Sequence, residues 1–186
     1  MKSLISRKAT INMKCSDEES FKWSVTRALN PTTKSSERIT KVLIQQSKNY
    51  NWDSIDFPTP LEQVKTFEKN NNMLVNVFGF DEERDCVTSL KLPKGVHAGR
   101  VLLMFVDNRY TVVKSMSRLF CRQATKGRRN GKRFYCNNCL QPFTSDERLS
   151  EHVSSFCLPL NMSVHNFCVS LRGDIHVLNV KWALTK

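Results

Sequence analysis

The sequence predicts an α+β fold, with an N-terminal domain of three helices and an antiparallel sheet followed by one small ββα module. Three observations carry this. Apolar residues recur at helical spacing up to about residue 70, interrupted by Asn-Pro and Asn-rich stops. The period then changes to the alternation of strands. Beyond a basic stretch, Cys136, Cys139, His152 and Cys157 fall in a C-x2-C-x12-H-x4-C frame. A chain of 186 residues suits one main domain with a small appendage.

Residues 1–13 read as a loose N-terminal arm, and the α+β domain spans 14–122. Ser16 and Glu19 form an S-x-x-E capping box that opens a first helix. Phe21, Val25, Ala28 and Leu29 share one face of it, and Asn30-Pro31 ends it. A second helix is expected from about Ser36, with Ile39, Val42, Leu43 and Tyr50 inward. Thr59-Pro60-Leu61-Glu62 supplies an N-cap and a proline at the first helical position of a third. Leu61, Val64 and Phe67 form its buried side, and Asn70-Asn71-Asn72 stops it. Val75, Val77 and Gly79 then alternate with Asn76 and Phe78, which reads as a strand. A charged turn at 81–85 leads to a second strand at Cys86–Leu92. Val101–Val106 and Tyr110–Val113 flank Asp107-Asn108, a two-residue hairpin turn.

Between Arg109 and Arg133 there are nine basic residues and no acidic one. Residues 123–133 read as a basic linker, densest over Lys126-Gly127-Arg128-Arg129-Asn130-Gly131-Lys132-Arg133. It runs directly into the module at 134–157. Zn²⁺ takes four soft or borderline ligands in a tetrahedron, and the frame supplies Cys136, Cys139, His152 and Cys157. Two thiolates two residues apart sit on one tight knuckle. Phe134, Phe143 and Leu149 stand where a finger keeps its small core, and Thr144 with Glu147 makes a T-x-x-E capping box. A module this small buries little apolar surface, so one structural zinc ion supplies much of its folding free energy. Cys15, Cys86, Cys121 and Cys168 remain as thiols, one of which stands as an alternative to Cys157. The tail at 158–186 offers a last hairpin, Phe167–Leu171 with Ile175–Trp182.

Composition narrows the function classes. Lys and Arg total 29 against 17 acidic residues, a formal charge of +12. Such a field favours polyanions, nucleic acid first. The N-terminus lacks an apolar signal core, and Val101–Val106 is far too short to span a bilayer. The expectation is an intracellular protein, neither secreted nor membrane-bound, with the Arg172-Gly173-Asp174 triplet incidental. Lys126, Arg128, Arg129, Lys132 and Arg133 can neutralise phosphates without reading sequence, and the same run reads as a nuclear-import signal or a solvated linker. Counting back from His152, the base-reading positions of a DNA-binding finger fall on Ser145, Arg148 and Glu151. Only Arg148 is a standard guanine reader, so sequence-specific recognition is not expected.

Further runs carry a resemblance. They are Phe21-Lys22-Trp23-Ser24-Val25-Thr26-Arg27-Ala28-Leu29-Asn30-Pro31, Glu37–Lys41, Tyr50–Asp53, Phe57-Pro58, Lys65–Asn70, Val75–Gly79 and the finger Phe134–Cys157. In this order they resemble the N-terminal region of proteins from Polinton (Maverick) transposons and adintovirus-like elements, where it precedes a protein-primed family B DNA polymerase. The resemblance covers residues 11–157. It implies a protein derived from a mobile element, with a zinc-finger accessory region. It does not imply polymerase activity, because the catalytic carboxylates of such polymerases lie downstream of the finger and the tail after Cys157 departs from the family. In the family pattern Cys often stands at the position of Ser20 and His at that of Arg109, a papain-like pairing. Both positions have changed here, and Arg109 stays protonated and cannot serve as a base. Cys15 with His97, His165 or His176 has no supporting spacing.

The sequence thus points to a zinc-binding, non-catalytic protein that associates with nucleic acid or a replication complex. The alternatives are a protein–protein interaction module, or a truncated fragment of a polymerase polyprotein with no activity of its own.

Overall fold

The computed structural model describes residues 6–93, 100–121, 133–155 and 157, and the backbone of strands Asn166–Val169 and Ile175–Leu178. Helices and strands are mixed, as an α+β chain requires. The main sheet has five strands: β1 (Thr10–Ile11), β2 (Leu74–Asp81), β3 (Cys86–Lys91), β4 (Arg100–Val106) and β5 (Arg109–Val113), in the order β1-β5-β4-β2-β3. It is a mixed sheet and not the antiparallel one expected. β2 and β4 run parallel, with Val75 opposite Val101 and Val77 opposite Leu103. The β4–β5 hairpin forms at Asp107-Asn108, both at positive φ, 51° and 57°. These are the angles of a tight turn whose twist matches its strands.

Helices α1 (Ser20–Leu29), α2 (Lys41–Ser47) and α3 (Val64–Asn71) precede β2 in the chain. Each starts later than the sequence cues suggest. α1 begins at Ser20 and no side chain caps it. Glu19 pairs instead with Lys22 at 2.9 Å, and Asp17 accepts the Trp23 indole N–H. In α2 the cap is Thr40, whose Oγ1 accepts from Leu43 N at 3.2 Å, which leaves Val42 66% exposed rather than inward. Thr59 donates to the Asp56 carbonyl, and a 3₁₀ turn, Leu61–Gln63, leads into α3. Asn72, in the left-handed conformation that Asn tolerates, ends α3.

One face of the sheet is closed by helix. Phe21, Val25, Val64 and Phe67 pack on Val75, Val77, Val101, Leu103 and Tyr110. Phe21 meets Phe67 and Tyr110 edge-on, with ring centroids 5.5 and 5.0 Å apart, and Trp52 stacks on Phe67 at 4.9 Å. A bulge between Val77 and Phe78 sends Lys91 to the helical side of the sheet. There its ammonium meets Glu68 of α3 at 2.6 Å, both nearly buried. Desolvation pushes the Lys91 pKa down, and Glu68 pulls it back.

The other face is buried too, against the expectation of alternation along β2. Asn76 and Phe78 are both fully buried. Phe78, Val87 and Met104 lie against Ala9, Met116 and Leu119, with Phe120, Tyr135 and Leu140 at the edge. Met116 and Leu119 belong to the short helix α4 (Met116–Leu119). The segment at 6–13, expected as part of a loose arm, is built into this layer. β1 pairs with β5, Ala9 and Met13 are buried, and the Arg7 guanidinium donates to Leu119 O at 2.7 Å and pairs with Asp85 at 2.9 Å. Further along, β8 (Asn166–Val169) and β9 (Ile175–Leu178) pair antiparallel, overlapping the segments expected as a last hairpin. Among the described residues no helix is long and apolar enough to cross a membrane.

Candidate metal centre

Two short strands, β6 (Phe134–Tyr135) and β7 (Pro142–Phe143), pair antiparallel around a turn that holds Cys136 and Cys139. The turn closes on itself. Leu140 N donates to Cys136 O at 2.8 Å, Cys136 N to Gln141 O at 3.0 Å, and Asn138 N points at Cys136 Sγ at 3.4 Å. Leu140 takes φ 62°, which lets the chain double back. Helix α5 (Asp146–Ser155) follows. Its cap is Ser145, whose Oγ accepts from Arg148 N, and not Thr144 as the T-x-x-E spacing suggests. Asp146 and Glu147 in the first turn suit the positive end of the helix dipole. The Phe143 ring lies 4.7 Å from the His152 ring and orients the imidazole. Past the helix, Cys157 N donates to His152 O at 2.6 Å, which folds the last ligand back.

The four predicted ligands meet. Cys136 Sγ is 3.4 Å from Cys157 Sγ, Cys139 Sγ is 3.3 Å from His152 Nε2, and all four ligand atoms lie within 4.8 Å of one another. Zinc–sulfur bonds of about 2.3 Å and zinc–nitrogen bonds of about 2.0–2.1 Å put tetrahedral ligands roughly 3.5–3.8 Å apart, so the cluster fits a single ion of that size. Three sulfurs and one imidazole nitrogen are also the donors that zinc favours over the oxygen sites of calcium or magnesium. Cys136 and Cys157 are buried, while Cys139 and His152 are half-buried.

Protons are shared unevenly among these sulfurs. The Cys136 pKa is pulled down to about 4, first by the hydrogen bond from the Cys139 thiol and then by backbone N–H groups that outweigh its burial. Cys139, the donor in that bond, moves up, and so does Cys157, which burial affects most. Each thiol that joins a dication must give up its proton. A dication would displace those protons, so acid opposes its binding.

Two residues that the sequence reading passed over support the knuckle from below. Asn76 of β2 donates from Nδ2 to the carbonyl of Asn137, inside the Cys136–Cys139 turn, at 2.8 Å. Its Oδ1 accepts from Arg100 Nη1 of β4, also at 2.8 Å. Burial lowers the Arg100 pKa, and negative charge at Cys136, Glu68 and Cys157 offsets this. The Asn138 side chain also reaches Cys157 Sγ, at 3.7 Å. A polar Asn76 amid Leu74, Val75, Val77 and Phe78 was the sequence signal for this contact.

The proposed nucleic-acid contacts are mostly untouched by this geometry. Lys126, Arg128, Arg129 and Lys132 lie outside the described residues. Arg133 is half-buried, and its backbone N–H donates to Ser117 Oγ at 3.2 Å. Arg148 is exposed on α5, with the exposed acids Asp146, Glu147 and Glu151 around it.

Ser20 and Arg109 stand at the starts of α1 and β5, two elements joined through Tyr110. Ser20 opens α1 and its Oγ accepts from Tyr110 N at 3.2 Å, beside Arg109 at the start of β5. Arg109 Nη2 donates to the Cys15 carbonyl at 2.8 Å and reaches its Sγ at 3.0 Å. Cys15 therefore faces a guanidinium. His97 and His165 lie outside the described residues, and His176 is described only as backbone of β9. Comparison with protein-family models, with curated proteins and with solved structures finds no match to this chain.

Proposed function

We propose that this chain is a non-catalytic zinc protein whose segment 134–157 is a single ββα-type finger, attached to a domain of three helices and a sheet. The observation that carries the reading is the convergence of Cys136, Cys139, His152 and Cys157 within 4.8 Å. Four protein ligands complete the zinc tetrahedron and leave no position for a water nucleophile, so the ion is structural. The basic linker, which ends at Arg133, supplies phosphate contact without sequence readout, to nucleic acid or a replication complex in the nucleus, and Arg148 of α5 adds to it. Resemblance to the region that precedes Polinton and adintovirus-like polymerases supports a mobile-element origin.

Metal content tests the centre. Purified wild-type protein is expected to hold about one zinc per chain, and Cys139→Ser to hold none. A salt titration against a mixed-sequence DNA duplex tests the linker. Affinity should fall steeply with salt and vary little with sequence, and replacing Lys126, Arg128 and Arg129 by Ala should flatten the slope. Salt-insensitive binding would remove the nucleic-acid reading.

A protein-docking role is the second reading. The exposed acids Asp146, Glu147 and Glu151 on α5 favour it, because they face phosphates poorly and basic partners well. Partner capture lost in Cys139→Ser, with DNA binding absent from the wild type, would select this reading.

A further inference from the structure

The metal-binding knuckle is held by the sheet through a short polar chain. Arg100 on β4 donates to Asn76 on β2, and Asn76 donates to the Asn137 carbonyl between the two knuckle cysteines, each link 2.8 Å long. β2 and β4 are adjacent parallel strands, with Leu74 opposite Arg100 and Asn76 opposite Leu102. Both polar residues thus emerge at neighbouring points on the face under the knuckle. Asn76 is fully buried, and the strand around it is apolar. A buried amide in such a place costs free energy unless both its ends are satisfied, and here both are.

The charge balance gives the arrangement a purpose. Three thiolates around a dication leave one net negative charge, and Cys136 and Cys157 are both buried. Negative charge in a half-dry site is stabilised by a cation held nearby and by fixed hydrogen-bond donors. Outer groups that orient the ligands of a metal typically contribute 10–100-fold to its affinity.

We propose that Arg100 and Asn76 are outer-sphere residues of the metal centre. Arg100 balances the excess negative charge of a Cys₃His–zinc site, and Asn76 fixes the knuckle at the depth where its two sulfurs converge with Cys157 and His152. The inference rests on the zinc reading above and adds that the main sheet, not the finger alone, sets the affinity.

The test is zinc competition between the full chain and a chromophoric chelator, for wild type, Asn76→Ala, Arg100→Met and Arg100→Lys. The expected result is affinity 10–100-fold weaker for Arg100→Met and Asn76→Ala, with Arg100→Lys recovering part of the loss because it keeps the charge. Asn137→Ala should bind like wild type, because Asn76 holds a backbone carbonyl there. Trp52 fluorescence, isolated in a background carrying Trp23→Phe and Trp182→Phe, reports from the opposite face of the sheet whether each variant is folded. Wild-type affinity in folded Arg100→Met and Asn76→Ala would overturn the proposal and leave the zinc centre standing. A wild-type chain that takes up no zinc would overturn both. If Arg100→Met does not fold, Arg100→Gln takes its place beside Arg100→Lys, and wild-type affinity in Arg100→Gln would also overturn the proposal.

Discussion

On one side of the sheet, Val75, Val77 and Leu103 meet Phe21 of α1 and Val64 and Phe67 of α3. On the other, Phe78 and Met104 meet a four-residue helix, the Ala9 segment and Tyr135 and Leu140 of the knuckle. The first cover consists of long apolar side chains and stacked rings, and its stability follows from area removed from water. The second cover is built from short segments that bury too little to order themselves. It depends on a polar chain through Asn76 and, in the proposed holo protein, on four metal bonds. A single sheet can therefore have one face that is stable by composition and one that is stable by coordination.

The strongest way to break this comparison is to remove the metal. Chelation of zinc-loaded protein should open the knuckle face and raise the binding of a dye for exposed apolar surface, while Trp52 fluorescence stays native. Loss of the native Trp52 signal together with the rise in dye binding would mean that the two faces unfold as one unit. Core truncations come next. Phe67→Ala should cost about 3–5 kcal/mol in urea titrations with or without chelator. Phe78→Ala should cost a similar amount with zinc present and clearly less without it. Equal costs in the two conditions would show that the second face needs no metal.

A smaller effect is expected at α5. Ser145→Ala removes the cap on Arg148 N and should cost roughly 1 kcal/mol, seen as weaker zinc retention rather than as a change in Trp52. The smallest change at neutral pH concerns Tyr110, whose hydroxyl is buried on the helical face with no hydrogen-bond partner among the described residues. Burial raises its pKa above the ordinary value of 10. The folded state then holds a proton that the unfolded chain releases, so stability is full below pH 10 and falls as pH rises beyond it. Tyr110→Phe should be near neutral at pH 7 and should flatten that alkaline loss in urea titrations at pH 8, 10 and 11.

Much of the candidate site was legible before any coordinates. Ligand spacing alone selected Cys136, Cys139, His152 and Cys157, because the number of residues between ligands fixes which can reach one ion. Capping was less legible. Ser16, Thr59 and Thr144 each sit in a plausible motif, yet Thr40 caps α2 and Ser145 caps α5, because local hydrogen bonds compete at every helix start.

The sequence by itself determined the α+β content, the β4–β5 turn, the inward side of α1 and α3 and the four candidate metal ligands. All of these rest on neighbours within a few residues or on ligand chemistry. Only the tertiary structure decided that β2 runs parallel to β4, that residues 6–13 join the sheet, and that Asn76 and Phe78 are buried. Alternation along a strand reports which face is apolar, but a second cover arriving from roughly forty to seventy positions away leaves little local trace. Its one mark was a polar Asn76 in an apolar run, and its meaning appeared only when Asn137 came to lie beside it.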